Sequence, residues 1–154
     1  MKLTVIAVGR LKERFWREAA EEYLKRLGGY ADVRVVEVAD RDPGRGEARA
    51  LAEEGAHVVR AIPPGAHVVA LDIGGPMLSS EALSAHLDEL ALHGSSNIAF
   101  LIGGSHGLAA DALASARERL SLGPMTLPHN LARVVLLEQL YRSFKISRGE
   151  PYHK

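Results

Sequence analysis

The sequence predicts an α/β domain built on a parallel β-sheet. Short runs rich in Val, Ile, Leu and Ala alternate with helix-forming segments along the whole chain. This alternation is typical of parallel sheets that are covered by helices on both faces. The chain has 154 residues, of which 47% are hydrophobic and 25% are charged, so it can form one core without disulfides. We therefore assign residues 1–154 to one domain.

The predicted strands are nearly continuous apolar runs rather than alternating ones. They are placed at 3–8, 33–38, 67–73 and 97–102. Strands that are buried on both faces have this pattern. The runs therefore favour a sheet in the middle of the domain.

Helices are predicted after each strand, and their ends are marked by glycine and proline. The ranges are 12–27, about 47–61, about 80–92, about 108–118 and about 130–146. Gly28 ends the first, Pro63 follows the second and Gly94 ends the third. The polar residues 40–46 are predicted to form a loop.

The last predicted helix is apolar on two sides. One stripe combines aliphatic residues with Glu138 and Arg142, and the opposite side carries Leu137, Leu140 and Phe144. A helix of this kind needs two partners, of which one is its own sheet and the other could be a second subunit. Glu138 and Arg142 are four residues apart and can pair, either as a structural salt bridge or as part of a site.

Charge is unevenly distributed along a chain whose formal net charge is zero. Residues 1–30 carry seven basic and four acidic side chains, residues 31–128 carry seven and thirteen, and residues 129–154 carry five and two. A neutral total argues weakly against nucleic-acid binding, but phosphate binding depends on local positive potential. Ordinary surface charge is the alternative explanation.

Several classes of protein are disfavoured by composition. The absence of cysteine excludes disulfides, thiolate metal sites and cysteine nucleophiles. The seven histidines have no metal-binding spacing, so no metal is predicted. No apolar run approaches the ~20 residues of a membrane span, and the N-terminal apolar run is too short for a signal peptide. We expect a cytoplasmic protein without a membrane partner.

Glycines follow two of the predicted strands directly. Gly103-Gly104 comes after the fourth strand, and Leu71-Asp72-Ile73-Gly74-Gly75 ends the third. Ligands of open α/β sheets bind at the carboxyl ends of the strands, where glycine allows close approach to the backbone. A tight turn is the simpler explanation of each pattern, and Asp72 is expected to form a turn or a cap. Neither pattern is a dinucleotide fingerprint or a P-loop.

The segment from 120 to 129 is apolar but is interrupted by Gly123, Pro124 and Pro128. It cannot form a plain strand or helix. Such a segment can bind a purine ring through main-chain hydrogen bonds while its side chains exclude water. A buried connector is the alternative.

The C-terminal tail places Tyr152 and His153 close to Arg148 and Lys154. A short polar terminus is usually disordered. An aromatic ring, an imidazole and cations together also suit stacking on an extruded base and binding its phosphates.

Taken together, these segments resemble the RlmH family of the SPOUT superfamily. The resemblance rests on Ile102-Gly103-Gly104, Leu127-Pro128-His129, Glu138-Gln139-Leu140-Tyr141-Arg142 and Pro151-Tyr152-His153. It covers the whole chain and is most specific from about residue 98 to the end. It implies a parallel-sheet SPOUT methyltransferase fold with a C-terminal trefoil knot and a homodimer built on the last helix.

The resemblance also implies an activity. The family transfers a methyl group from S-adenosyl-L-methionine, with S-adenosyl-L-homocysteine as product, to N3 of a pseudouridine in 23S ribosomal RNA of the assembled ribosome. By position, the implied cofactor-binding residues are Leu71, Gly103, Gly104, Leu122, Gly123, Pro124, Met125, Thr126 and Leu127. The implied catalytic residues, on the substrate side, are His129, Glu138, Arg142, Tyr152 and His153.

These residues suggest a mechanism. His153 is the candidate general base for the acceptor nitrogen, Arg142 could stabilise the developing anion and Tyr152 could position the base. Three alternatives stay open at this point: a knotted methyltransferase for transfer RNA, a ribosome-binding factor without catalysis, and a generic nucleotide-binding α/β module. The sequence does not indicate which subunit supplies the tail to a site.

Overall fold

The computed structural model describes the backbone of residues 1–154 and every side chain except that of Arg45. The chain forms a five-stranded sheet and five α-helices. In chain order these are β1 Lys2–Val8, α1 Arg14–Leu27, β2 Asp32–Val38, α2 Glu47–Ala61, β3 His67–Leu71, α3 Ser80–Leu92, β4 Asn97–Ile102, α4 Ala110–Ser115, β5 Glu118–Leu120 and α5 His129–Ser147. A 3-10 helix at Pro43–Arg45 lies in the predicted loop.

All strand pairs of the sheet are parallel, and the strand order is β2-β1-β4-β3-β5. The predicted parallel sheet is therefore confirmed. Because the strands run in one direction, the segments that follow β3, β4 and β5 all begin at the same edge. The two glycine-rich segments follow β3 and β4, which are neighbours in the sheet.

Helices cover both faces of the sheet, as the strand composition predicts. On one face, α1, α3 and α5 pack against a core that includes Leu3, Phe100 and Leu137. On the other face, α2 and α4 pack against residues that include Ile6 and Leu101. Central strands β1 and β4 contribute buried residues to both cores, which explains their unbroken apolar runs.

Two predicted boundaries were wrong. The helix predicted to continue to about 118 ends at Ser115, and Glu118–Leu120 is instead the edge strand β5. This strand is short and two of its three residues are charged, so it has no apolar run to reveal it. The third strand ends at Leu71 rather than 73, because Gly75 N–H donates to the Asp72 carbonyl and turns the chain.

Helix α5 has one buried face and a second, partly exposed apolar face. Leu136, Leu137 and Leu140 are fully buried against the sheet, whereas Leu131 and Val135 are partly exposed on the other side. This is the two-sided pattern expected from the sequence. None of the described helices combines the length and apolar character needed to cross a lipid bilayer.

Candidate active site

A cleft of about 810 Å³ opens at the carboxyl edge of the sheet. Three segments of the chain form it: the end of β3, the turn after β4, and the connection from β5 into α5. Its walls are mostly apolar, with Leu71, Ile102 and Leu127 among them. A mainly apolar cleft of several hundred Å³ at this edge is the usual ligand site of such sheets.

The cleft contains most of the residues that the sequence assigned to cofactor binding. Its lining includes Leu71, Gly103, Gly104, Leu122, Gly123, Met125, Thr126 and Leu127. Pro124 is not among the lining residues; it lies exposed between two that are. Sequence reasoning missed Leu108, which lines the cleft because it directly follows the glycine motif.

The connection from β5 to α5 leaves main-chain groups free at the cleft. Within the described chain, Met125, Thr126 and Leu127 take part in no intramolecular hydrogen bond. Ser121 fixes the start of the segment, because its hydroxyl accepts from the Gly123 N–H at 3.2 Å. A strand or helix would have consumed these N–H and C=O groups. They are available to a planar polar ligand, as the sequence pattern predicts.

The tight turn expected after β4 is also present. Gly107 N–H donates to the Gly104 carbonyl at 3.0 Å, and Gly107 adopts a φ of 78°. A Cβ on Gly103 would lie 2.3 Å from the carbonyl carbon of Gly107. The expected turn is therefore confirmed, and this turn forms one wall of the cleft.

Replacing Gly103 by alanine is expected to destabilise the fold by about 2–3 kcal/mol, because the backbone of Gly107 must move to admit a methyl group. Gly74→Ala is the matched control, since its Cβ would lie 3.5 Å from Asp72 Oδ2, an ordinary contact. Chemical denaturation of both variants measures the effect. If Gly103→Ala and Gly74→Ala were equally stable, Gly103 would not be packed closely against the Gly107 backbone.

Four of the five predicted substrate-side residues form a second cluster on α5 and the tail. The Arg142 guanidinium donates to Glu138 Oε1 at 2.6 Å through Nη2, and the Tyr152 hydroxyl donates to the same oxygen at 3.1 Å. Arg142 also lies 4.7 Å from the ring centroid of Tyr152 and 3.3 Å from His153 Nδ1. The pairing predicted for Glu138 and Arg142 is confirmed.

Glu138 holds this cluster together. Its Oε1 accepts from three donor groups, two of Arg142 and one of Tyr152, and its Oε2 accepts from the side-chain amide of Gln139 at 2.7 Å. Hydrogen bonding to Glu138 is also the main cause that raises the pKa of Arg142. Through these hydrogen bonds Glu138 orients Arg142, Tyr152 and Gln139.

Tyr152 and His153 have different hydrogen-bonding environments. Burial, followed by the hydrogen bond to Glu138, raises the pKa of Tyr152 to about 12, so its hydroxyl stays protonated near neutral pH. The His153 ring lies between Arg142 at Nδ1 and Glu81 Oε1 at Nε2, the latter at 2.7 Å. Since arginine only donates, the His153 Nδ1 lone pair is the acceptor of that contact.

Glu81, which the sequence did not indicate, ties the tail to α3. Bonding to its own backbone N–H, then to His153 and to Ser79, lowers the pKa of Glu81 to about 2. The tail is thereby ordered against its own chain, contrary to the usual behaviour of a short polar terminus. Glu81 and His153 are 72 positions apart in the sequence, and no local signal links them.

The fifth predicted residue, His129, lies elsewhere. It lines the cleft at the first turn of α5. Arg142 lies thirteen residues further along the same helix, which corresponds to about 20 Å along the axis. One chain therefore carries the cleft and the Glu138–Arg142–Tyr152–His153 cluster at different positions along α5. Among the described side chains, no group of three or more His, Cys, Asp or Glu residues is arranged to hold a metal ion.

Comparison with solved structures finds proteins of similar fold. A probable methyltransferase from Bordetella pertussis Tohama I matches with a TM-score of 0.61 and 17% identity over 92% of this chain and 95% of that one. TrmJ from Z. mobilis ZM4 matches with a TM-score of 0.57 and 19% identity over 100% of this chain and 73% of that one. At these identities the likeness concerns the fold alone.

Sequence comparison is more specific. Residues 1–153 match the family described as "Predicted SPOUT methyltransferase". A protein of Listeria monocytogenes serotype 4a named ribosomal RNA large subunit methyltransferase H is 48% identical over all of both chains. A protein of the same name from Pelotomaculum thermopropionicum is 51% identical over 98% of each chain. Two of the motifs that carried the resemblance, Ile102-Gly103-Gly104 and Leu127-Pro128-His129, line the cleft. By this full-length similarity the chain belongs to the RlmH family of SPOUT methyltransferases.

Proposed function

We propose that this protein transfers a methyl group from S-adenosyl-L-methionine to N3 of a pseudouridine in 23S ribosomal RNA of the assembled ribosome. The observation that carries the proposal is the full-length similarity, at 48–51% identity, to relatives named ribosomal RNA large subunit methyltransferase H. The cleft and the tail cluster give the proposal its chemistry. A cytoplasmic location follows from the ribosomal substrate.

The cleft is suited to the proposed methyl donor. Its apolar walls can enclose an adenine ring, and the free main-chain groups of Met125, Thr126 and Leu127 can bond the edge of that ring. Gly123 has a φ of 126°, and a Cβ there would meet no atom within 4 Å, so the backbone is open to close approach. When bound, S-adenosyl-L-methionine supplies an electrophilic methyl group on a sulfonium. The protein must then align this methyl group with the acceptor nitrogen.

The tail cluster is suited to the acceptor. The N3–carbon bond forms as the carbon–sulfur bond breaks, and the N3 proton must leave. The Arg142 guanidinium can stabilise the negative charge that develops on the base. His153 can take the proton only after its Nδ1 lone pair is released from Arg142, and an incoming base that binds Arg142 would release it. Tyr152, which stays protonated, can position the base.

The separation of the two halves supports a homodimer. About 20 Å along α5 lies between His129 in the cleft and Arg142 in the cluster, too far for one bound base to reach both. The partly exposed apolar face of α5 offers a surface for a second copy. In our proposal the cluster of one subunit therefore serves the cleft of the other. The trefoil knot implied by the family stays a prediction.

Methylation assays on purified RNA particles test the proposed function. We expect transfer of labelled methyl groups to 70S ribosomes from a strain that lacks the gene, and a missing methyl group on a 23S pseudouridine of that strain by mass spectrometry. Preferential labelling of transfer RNA would favour a transfer RNA enzyme instead. Ribosome binding without S-adenosyl-L-homocysteine binding by calorimetry would favour a factor without catalysis.

A further inference from the structure

We propose that residues 9–13, the β1–α1 loop, form a docking surface for RNA phosphates beside the mouth of the cleft. The inference rests on the proposed function and extends it, because it names the part of the chain that holds the nucleic acid around the reacting base. Nothing in the cleft or the tail cluster uses this loop.

Two cations of the loop are free of carboxylate partners. Arg10 and Lys12 are exposed, and neither forms a salt bridge with any described side chain. By contrast, Arg14 is paired with Glu18 at 2.5 Å, one turn along α1. Glu13 is the one carboxylate in the loop. An unpaired exposed cation can bind a phosphate directly, whereas a paired cation must first separate from its carboxylate.

The loop backbone is fixed, so these side chains are presented in one place. The Arg17 guanidinium donates to the carbonyls of Leu11 and Lys12, and the Leu11 side chain is 7% exposed. At the start of the loop, Gly9 N–H donates to the Val38 carbonyl at 2.8 Å. The Gly9 carbonyl in turn accepts from Arg133, a residue of α5 that is 2% exposed, also at 2.8 Å. A surface ordered in advance loses little entropy on binding.

The loop borders the cleft. A Cβ on Gly9 would lie 3.6 Å from Nε2 of His129, which lines the cleft. On the adjoining strand end, a Cβ on Gly104 would lie 3.1 Å from a side-chain methyl group of Val8. Arg10 follows Gly9 directly. The loop therefore lies beside the position at which a base would enter the cleft, within reach of the phosphates that flank that base.

The N-terminus of α5 adds positive potential to the same edge. Helix α5 has no acidic residue in its first turn, and its N-cap residue is the uncharged Pro128. Helices α2, α3 and α4 each carry one acidic residue in the first turn, namely Glu47, Glu81 and Asp111. Helix α1 begins after Glu13, whose carboxylate offsets the positive end of that helix. Helix N-termini carry partial positive charge, which favours anions, so the cations of the loop and the start of α5 together point to a phosphate chain, although the protein has no net charge.

The test compares two double variants with matched loss of charge. Arg10→Gln with Lys12→Gln removes the free cations of the loop. Lys2→Gln with Lys25→Gln removes two exposed cations at the opposite edge of the sheet. Binding of each protein to 70S ribosomes that lack the methyl group is measured as a function of salt concentration. Calorimetry with S-adenosyl-L-homocysteine and a thermal melt report whether the cleft and the fold are intact.

We expect the loop variant to bind ribosomes less tightly and with a shallower salt dependence. Loss of two contacts to single-stranded phosphates lowers the slope of log K against log salt by about 1.4. Between about 50 and 200 mM salt the parent chain should therefore lose about sevenfold more affinity than the loop variant. The Lys2 and Lys25 variant should keep the parental slope, and both variants should bind S-adenosyl-L-homocysteine normally.

A loop variant with the parental slope would overturn the docking surface and leave the proposed function intact. A parent chain that binds ribosomes but transfers no methyl group would refute the proposed function, while the slopes would still decide on the surface. Absence of ribosome binding by the parent chain would refute both.

Discussion

Replacing Arg142 by alanine is expected to lower kcat for methyl transfer to ribosomes by about 10²- to 10³-fold. The expected loss is large because Arg142 contacts Glu138, Tyr152 and His153, so it both organises the cluster and supplies the cation for the developing anion. Affinity for S-adenosyl-L-homocysteine should not change, because Arg142 is proposed to act on the acceptor base and bonds to no residue that lines the cleft. Single-turnover assays and calorimetry measure the two quantities.

Arg26→Ala is the matched control for Arg142→Ala. Arg26 also pairs with a glutamate four residues away on its own helix, Glu22 at 2.7 Å, and it also lies over the Tyr141 ring. It should retain parental turnover. Arg142→Lys keeps the charge but not the planar fork that bonds Glu138, and should recover only part of the rate. Near-parental turnover by Arg142→Ala, in a protein with a normal melting temperature, would remove Arg142 from the reaction.

A pair of inactive subunits is expected to regain activity when one has an intact cleft and the other an intact tail. Ala132 lines the cleft from α5, and Ala132→Trp should fill the cleft without straining the helix. The other subunit of the heterodimer carries Arg142→Ala. One of its two composite sites then combines an unmutated cleft with an unmutated tail cluster. The isolated heterodimer should then show about half of the parental turnover.

The same experiment discriminates between the two possible arrangements. If cleft and tail of one chain acted together, each subunit of the heterodimer would carry one defect and no active site would form. Co-expression of the two chains with different affinity tags allows the heterodimer to be isolated. Activity at background level would contradict the composite site, provided that Ala132→Trp alone binds no S-adenosyl-L-homocysteine and Arg142→Ala alone does.

The sequence by itself determined the local features of this protein. The apolar runs located four of the five strands, and the glycines at 103 and 104 marked the edge of the sheet at which the cleft opens. Both features are local, because strand burial and turn formation depend on neighbouring residues. The spacing of Glu138 and Arg142 predicted their pairing for the same reason. The family motifs, which no periodicity argument could supply, indicated the segments that line the cleft.

Only the tertiary structure decided how distant segments meet. It placed β5, whose charged residues give no strand signal, at the edge of the sheet, and it brought Glu81 to His153. It also separated His129 from Arg142, which the sequence had grouped together on the substrate side. Hydrophobic periodicity shows on which face of its own helix or strand a residue lies. The distance between two functional groups depends on helix length and on the packing of the whole sheet, and no local pattern encodes either of them.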